Sequence, residues 1–224
     1  MQPAFLILSL SCLSCLVTTD KESFPQGHGE ELGKHRISDG HVDILNEIPS
    51  PMEFWDKFAS KRRPVVFRGA GKSFPAFRLW TDGYLKDKFG DMVVKLEGKK
   101  EKDEVPVGER GLGQDTIRSY LDSYQKKDSY IVSQLPDPMS KEVMVLPFMM
   151  CGSFYERTLE ANLWLSSGGT KSLLHKDADN AINCLLNGTK DWILIHPDNE
   201  KNVGFLIENN LNMFLWVYFD CKSD

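Results

Sequence analysis

His175 and Asp177, in the run Ser172-Leu-Leu-His-Lys-Asp177, are separated by a single residue. Side chains two apart on a β-strand leave the same face, so this spacing would offer an imidazole and a carboxylate to one divalent ion. Such a pair is two-thirds of the 2-His-1-carboxylate donor set of a non-haem Fe(II) centre, which keeps positions open for reactants. Thirteen residues after Asp177 stands Lys190. A lysine buried beside a metal site is costly unless an anion pairs with it, so Lys190 points to a carboxylate-bearing co-substrate, to which the Ser172 hydroxyl could add a hydrogen bond. On spacing alone a surface His–Asp pair is the commoner outcome. Lys190 and the apolar segments around it give the pattern its specificity.

These side chains need a scaffold. Leu173 to Asp177 and Asn183 to Leu186 read as strands, and Asn187-Gly188 as a type I′ turn sending Thr189 to His196 back as a return strand that Lys190 starts. Tyr130 to Val132 and Leu163 to Leu165 supply further strands. Upstream, Ser50-Pro51-Met52-Glu53 is a capping box with proline at the first helical position, and Phe54, Trp55 and Phe58 predict a helix to about Lys61. Pro64 to Arg68 is an expected strand, and Thr81 to Phe89 an expected helix ended by Gly90. Ile117, Tyr120, Leu121 and Tyr124 recur at helical spacing and mark a third helix with one buried stripe. Helices ahead of a β-rich second half predict an α+β fold.

The segments Asn162-Leu-Trp-Leu165, Gly168-Gly-Thr170, Ser172 to Asp177 and Asn187-Gly-Thr-Lys-Asp-Trp-Ile-Leu-Ile-His-Pro197 resemble the JmjC, or cupin-like, oxygenases. Arg63-Pro-Val-Val-Phe-Arg-Gly69 is similar to the first strand of that group, and Trp80 through Phe89-Gly90-Asp91 to the helix and turn after it. The likeness covers about residues 45–200 and is closer to the small hydroxylases than to the large chromatin demethylases. It implies a double-stranded β-helix (jelly-roll) core in which His175 and Asp177 bind Fe(II). By the same resemblance Lys190 and Ser172 hold the distal carboxylate of 2-oxoglutarate, and Tyr130 touches the co-substrate too. The implied reaction hydroxylates a protein side chain.

Two departures from the family pattern stand out. The asparagine six residues after the first histidine is here Ala181, flanked by Asn180 and Asn183, which could substitute. The third iron ligand of the family is a histidine on a late strand, and the only histidine after His175 is His196. On a return strand six residues beyond Lys190 it would lie on the order of 20 Å from it, which makes it a poor third ligand. The expectation is therefore a domain incomplete at its C-terminus, with little turnover, in which residues 209–220 do not close a barrel. A non-catalytic cupin-like binding module is the alternative.

Composition bounds the rest. With 224 residues and 41% hydrophobic content the chain can bury one sizeable core, divided as residues 1–19 signal peptide, 20–44 polar segment and 45–224 cupin-like domain. Ala4 to Val17 is an apolar run followed by Thr18, Thr19 and charge, too short for a bilayer span, which predicts cleavage near Thr19 and no transmembrane span thereafter. The expected location is the endoplasmic reticulum lumen or the exterior, which keeps the chain from histones. Loss of the leader leaves Cys151, Cys184 and Cys221, an odd number and so at least one free thiol. Asn187-Gly-Thr189 is a glycosylation sequon. His28, His35 and His41 fall in the polar segment and read as solvated. The net charge of -5 argues against nucleic-acid binding, and the mixed-sign run Gly98 to Glu104 reads as a solvated loop.

Overall fold

Ser50 starts the first helix by the exchange its sequence predicts: its hydroxyl accepts from the Glu53 amide while the Glu53 carboxylate accepts from the Ser50 amide. In this computed structural model the described residues are Lys34, 37–100, 111–156, 160–175, 177, 180–202 and 216–220. The expected leader, most of the polar segment, His28, His35, Cys221 and part of the Gly98 to Glu104 run lie outside them. The chain divides into residues 1–39 and 40–224, and the account below concerns the second unit. Its short first strand, β1 (Asp43–Leu45), precedes helix α1 (Pro51–Lys57), which a single 3-10 turn extends to Lys61. Arg62, at φ 53°, then turns the chain into β2 (Val65–Phe67), buried along its length.

Two short helices follow, α2 (Pro75–Leu79) and α3 (Asp82–Phe89), the second capped by the Thr81 hydroxyl. Gly90 ends α3 but with φ of -56°, so it is not there for a left-handed turn. A side chain at 90 would press on the Lys86 carbonyl and lie 2.6 Å from the Arg118 guanidinium. Close approach, rather than handedness, demands the glycine. The remaining elements are β3 (Val93–Gly98), β4 (Gly111–Thr116), α4 (Ile117–Ser123), β5 (Ser129–Gln134), α5 (Asp137–Ser140), α6 (Gly152–Glu156), β6 (Asn162–Leu165), β7 (Ala181–Leu185) and β8 (Trp216–Asp220).

The strands form two sheets. One, in the order β4-β3-β5-β6, is antiparallel. Its alternation is plain on β3, where Val94 and Leu96 are buried while Val93 and Lys95 are exposed, and on β5, where Ser129, Ile131 and Ser133 are buried. The buried face packs on α3 through Leu85 and Phe89 and on α4 through Ile117, Tyr120 and Leu121, three residues of the stripe that helical spacing predicted. The other sheet, in the order β1-β2-β8-β7, is parallel throughout. It belongs to a second apolar cluster of Phe54, Phe58, Val65, Phe67, Phe74 and Phe148, against which Ile182 and Cys184 of β7 pack.

The α+β class therefore holds, with an antiparallel sheet as one of its layers. Three local expectations are corrected. Among the described residues, Leu173, Leu174, His175 and Asp177 lie in no strand, and neither does Thr189 to His196. A type I′ hairpin needs positive φ at both central residues, and here only Gly188 adopts it, at 88°. β7 pairs instead with β8, which lies between β2 and β7, while residues 209–215 of the run expected not to close a barrel lie outside the described residues. Those parallel pairings differ from the antiparallel pattern of a jelly roll.

A buried carboxylate ties the two clusters together. Glu142 accepts hydrogen bonds from Trp80 Nε1 at 2.7 Å, Tyr84 Oη at 2.5 Å and Lys88 Nζ at 2.5 Å, while its backbone carbonyl accepts from the Ala76 amide. Trp80 packs against both clusters. Burial pushes the Glu142 carboxyl up, but the three donors outweigh it and leave it below the ordinary glutamate value. No helix among the described residues is long and apolar enough to cross a membrane.

Candidate functional site

After β6 the chain turns on Gly168 and Gly169, both left-handed at φ 94° and 74°, a conformation open to glycine at no steric cost. The Ser166 hydroxyl accepts from the Gly168 amide, and the Lys171 amide donates to the Lys99 carbonyl, docking the segment against the end of β3. The next residues carry the predicted donors.

His175 and Asp177 come together without a strand. His175 Nε2 lies 3.4 Å from Asp177 Oδ1, each side chain about one-third exposed. The other ring nitrogen, Nδ1, lies 2.7 Å from the Leu173 carbonyl oxygen. A carbonyl can only accept, so Nδ1 donates a proton to it, which leaves Nε2 as the ring atom that faces the carboxylate. A deprotonated Nε2 and a carboxylate oxygen 3.4 Å apart can share a cation, since first-row metal bonds to nitrogen and oxygen run about 2.0–2.2 Å. A carbonyl holding the distal nitrogen is also the usual orienting partner of a ligating histidine. Among the described residues no group of three or more His, Cys, Asp or Glu side chains gathers to hold a metal. His196 instead engages its neighbour, with Nδ1 3.5 Å from Asp198 Oδ2 and accepting from the Asp198 amide.

Lys190 reaches the site from an irregular segment rather than a hairpin. Its ammonium lies over the Trp164 ring at 4.4 Å and over the Trp192 ring at 4.3 Å. Burial pushes the amine down to about 8, against the opposing pull of the Asp177 charge. The pull means that Lys190 and Asp177 sense each other electrostatically. No hydrogen bond or ion pair from a described residue satisfies this ammonium.

Tyr130 is half-buried on β5 opposite Glu97 of β3. Val132, two residues on, pairs with Trp164 of β6, so Tyr130 and Trp164 share the sheet face that the Lys190 ammonium covers. Ser172 is exposed and makes no hydrogen bond with a described residue. The structure thus joins His175 to Asp177 and sets Lys190 and Tyr130 on one side of the sheet, while Ser172 makes no hydrogen bond with any of them. The two tryptophans escaped the sequence reading. The signal was there, since Trp192 follows Lys190 by two residues and Trp164 sits in an expected strand. An open groove of about 400 Å³ lined in part by Lys95, Gln114, Gln134 and Asp137 contains none of these residues.

Residues 51–217 match the model of the cupin-like domain family, three-quarters of the chain. The chain belongs to that family. Its relatives carry JmjC and related names. It is similar to lysine-specific demethylase 8 of Danio rerio, at 30% identity over 69% of this chain and 40% of the relative. JmjC domain-containing protein 4 of Schizosaccharomyces pombe is 26% identical over 71% of this chain and 39% of its own length. The human bifunctional peptidase and (3S)-lysyl hydroxylase JMJD7 is 23% identical over 71% and 55%. The chain spans about half or less of the length of these relatives.

Proposed function

We propose that this chain carries the core of an Fe(II)- and 2-oxoglutarate-dependent hydroxylase of protein side chains, built on a double-stranded β-helix. The observation that carries the reading is the convergence of His175 Nε2 and Asp177 Oδ1, with the ring oriented by the Leu173 carbonyl. These two side chains would hold the iron. Lys190, desolvated over two indoles and near the Asp177 charge, would meet the distal carboxylate of 2-oxoglutarate, with Ser172 and Tyr130 as further polar contacts. Iron and co-substrate would supply an oxidation in which O2 and 2-oxoglutarate become succinate and CO2 while one oxygen atom enters a substrate C–H bond. The protein's part is to fix donors and carboxylate clamp in register and to keep the amine dry. Two relatives bear names that refer to lysine, so a peptidyl lysine is the first substrate class to test.

A second reading is a cupin-like binding module without turnover, favoured by the lack of a third donor among the described residues. Succinate release by the purified chain with Fe(II), 2-oxoglutarate and a lysine-containing peptide library separates the two. The hydroxylase reading expects release that disappears in His175→Ala. Equal release from wild type and variant, or none from wild type, would overturn it.

The secretory location rests on residues 4–19 and on the sequon at the exposed Asn187. Expressed in eukaryotic cells, the chain is expected to start near residue 20 and to carry a glycan at Asn187, read by N-terminal sequencing and a glycosidase mobility shift. Cytosolic protein that retains residues 1–19 would refute that assignment.

A further inference from the structure

The Lys190 ammonium has two aromatic neighbours and, among the described residues, no hydrogen-bond acceptor or ion-pair partner. An ammonium at such a place keeps its N–H donors unspent while two π-faces offset part of its lost hydration. The indoles come from separate parts of the chain. Trp164 stands on β6, fixed by pairing with Val132, and Trp192 lies two residues beyond the lysine itself. A four-carbon side chain is otherwise free to sample many rotamers, at an entropic cost that each bound ligand would have to meet. Held over both rings, Lys190 meets an anion with that cost already met.

We propose that Trp164 and Trp192 are positioning residues that hold the Lys190 ammonium ready for the distal carboxylate of a keto-diacid, so that this pair sets the preference for a diacid over a monoacid. The inference rests on the hydroxylase reading above. It adds which residues make Lys190 selective.

The test is calorimetric titration of the full chain with Fe(II) under nitrogen, using 2-oxoglutarate and, in parallel, 2-oxobutanoate, which keeps the keto-acid end and lacks the distal carboxylate. Trp164→Leu and Trp192→Leu are each expected to weaken 2-oxoglutarate binding roughly five- to thirty-fold, the loss of one desolvated cation–π contact. Binding of 2-oxobutanoate should stay unchanged, which also reports an intact fold. Trp192→Phe, which keeps a π-face, should recover most of the diacid affinity. In a Lys190→Met background the tryptophan substitutions should fall silent, because nothing is left to position. Wild type that binds neither acid overturns the hydroxylase reading and this inference with it. Wild type that prefers the diacid while the leucine variants keep the same preference overturns this inference alone, as does an equal loss of both acids.

Discussion

Alanine at His175 or Asp177 is expected to lower the affinity of the chain for Fe(II) by at least about 100-fold, because removing only an outer partner of a metal ligand already costs ten- to 100-fold. The pair consists of a ring nitrogen and a carboxylate oxygen 3.4 Å apart, so either substitution leaves a single side-chain donor. Asp177→Asn tests charge separately from shape and should fall between wild type and alanine. Lys190→Met should bind the ion at least as well as wild type, since it removes a cation that feels the Asp177 charge. Titration under nitrogen with calorimetric or ultraviolet detection reads the four variants beside wild type. A solvated surface pair would behave otherwise: exposed ion pairs contribute at most about 1 kcal/mol to stability and need bind no metal. If wild type and His175→Ala take up iron equally, the donor assignment is wrong.

The largest loss of stability is expected at Glu142, far from the chemistry in sequence. Glu142→Ala leaves Trp80 Nε1 and Tyr84 Oη without their acceptor, each such loss costing roughly 1–3 kcal/mol. The Lys88 contact adds little, because that side chain is half-exposed and its pairing is screened. A total near 3 kcal/mol would lower the melting temperature by about 6–12 °C in a chain of this size. Lys88→Met should lower it by far less, and a comparable drop would show that the ion pair, not the neutral donors, holds Glu142. The pH dependence has a definite sign. A carboxyl whose folded-state value lies below its unfolded one contributes fully above the unfolded value of about 4.5, and the contribution disappears as pH falls through the lowered value. Glu142→Gln should flatten that acid limb. Melting curves from pH 7 to 3 check it.

The two predictions draw on features of unequal legibility. The capping box at Ser50 and Glu53, the α4 stripe and the strands around Tyr130 and Leu163 were readable because each depends on neighbours a few residues away. Gly90 was read as a stop for the right position and the wrong reason, since its neighbour Arg118 comes from another helix. The hairpin after Asn187 failed for a related cause. The backbone at Asn187 did not take the second left-handed position, and β7 found a parallel partner in β8. Nothing local in the sequence reveals that Glu142 is buried, because its three donors all come from residues 80–88.

By itself the sequence determined that an imidazole and a carboxylate would meet near residue 175, because a spacing of two keeps them within reach in a strand and equally in the non-strand backbone at His175 and Asp177. It also determined the family, through motifs that span most of the domain. Only the tertiary structure decided what surrounds Lys190. Hydration, charge and ring contacts at that amine depend on Trp164, Trp192 and Asp177 meeting in space. Such meetings are set by the packing of whole strands, which no short window of residues encodes.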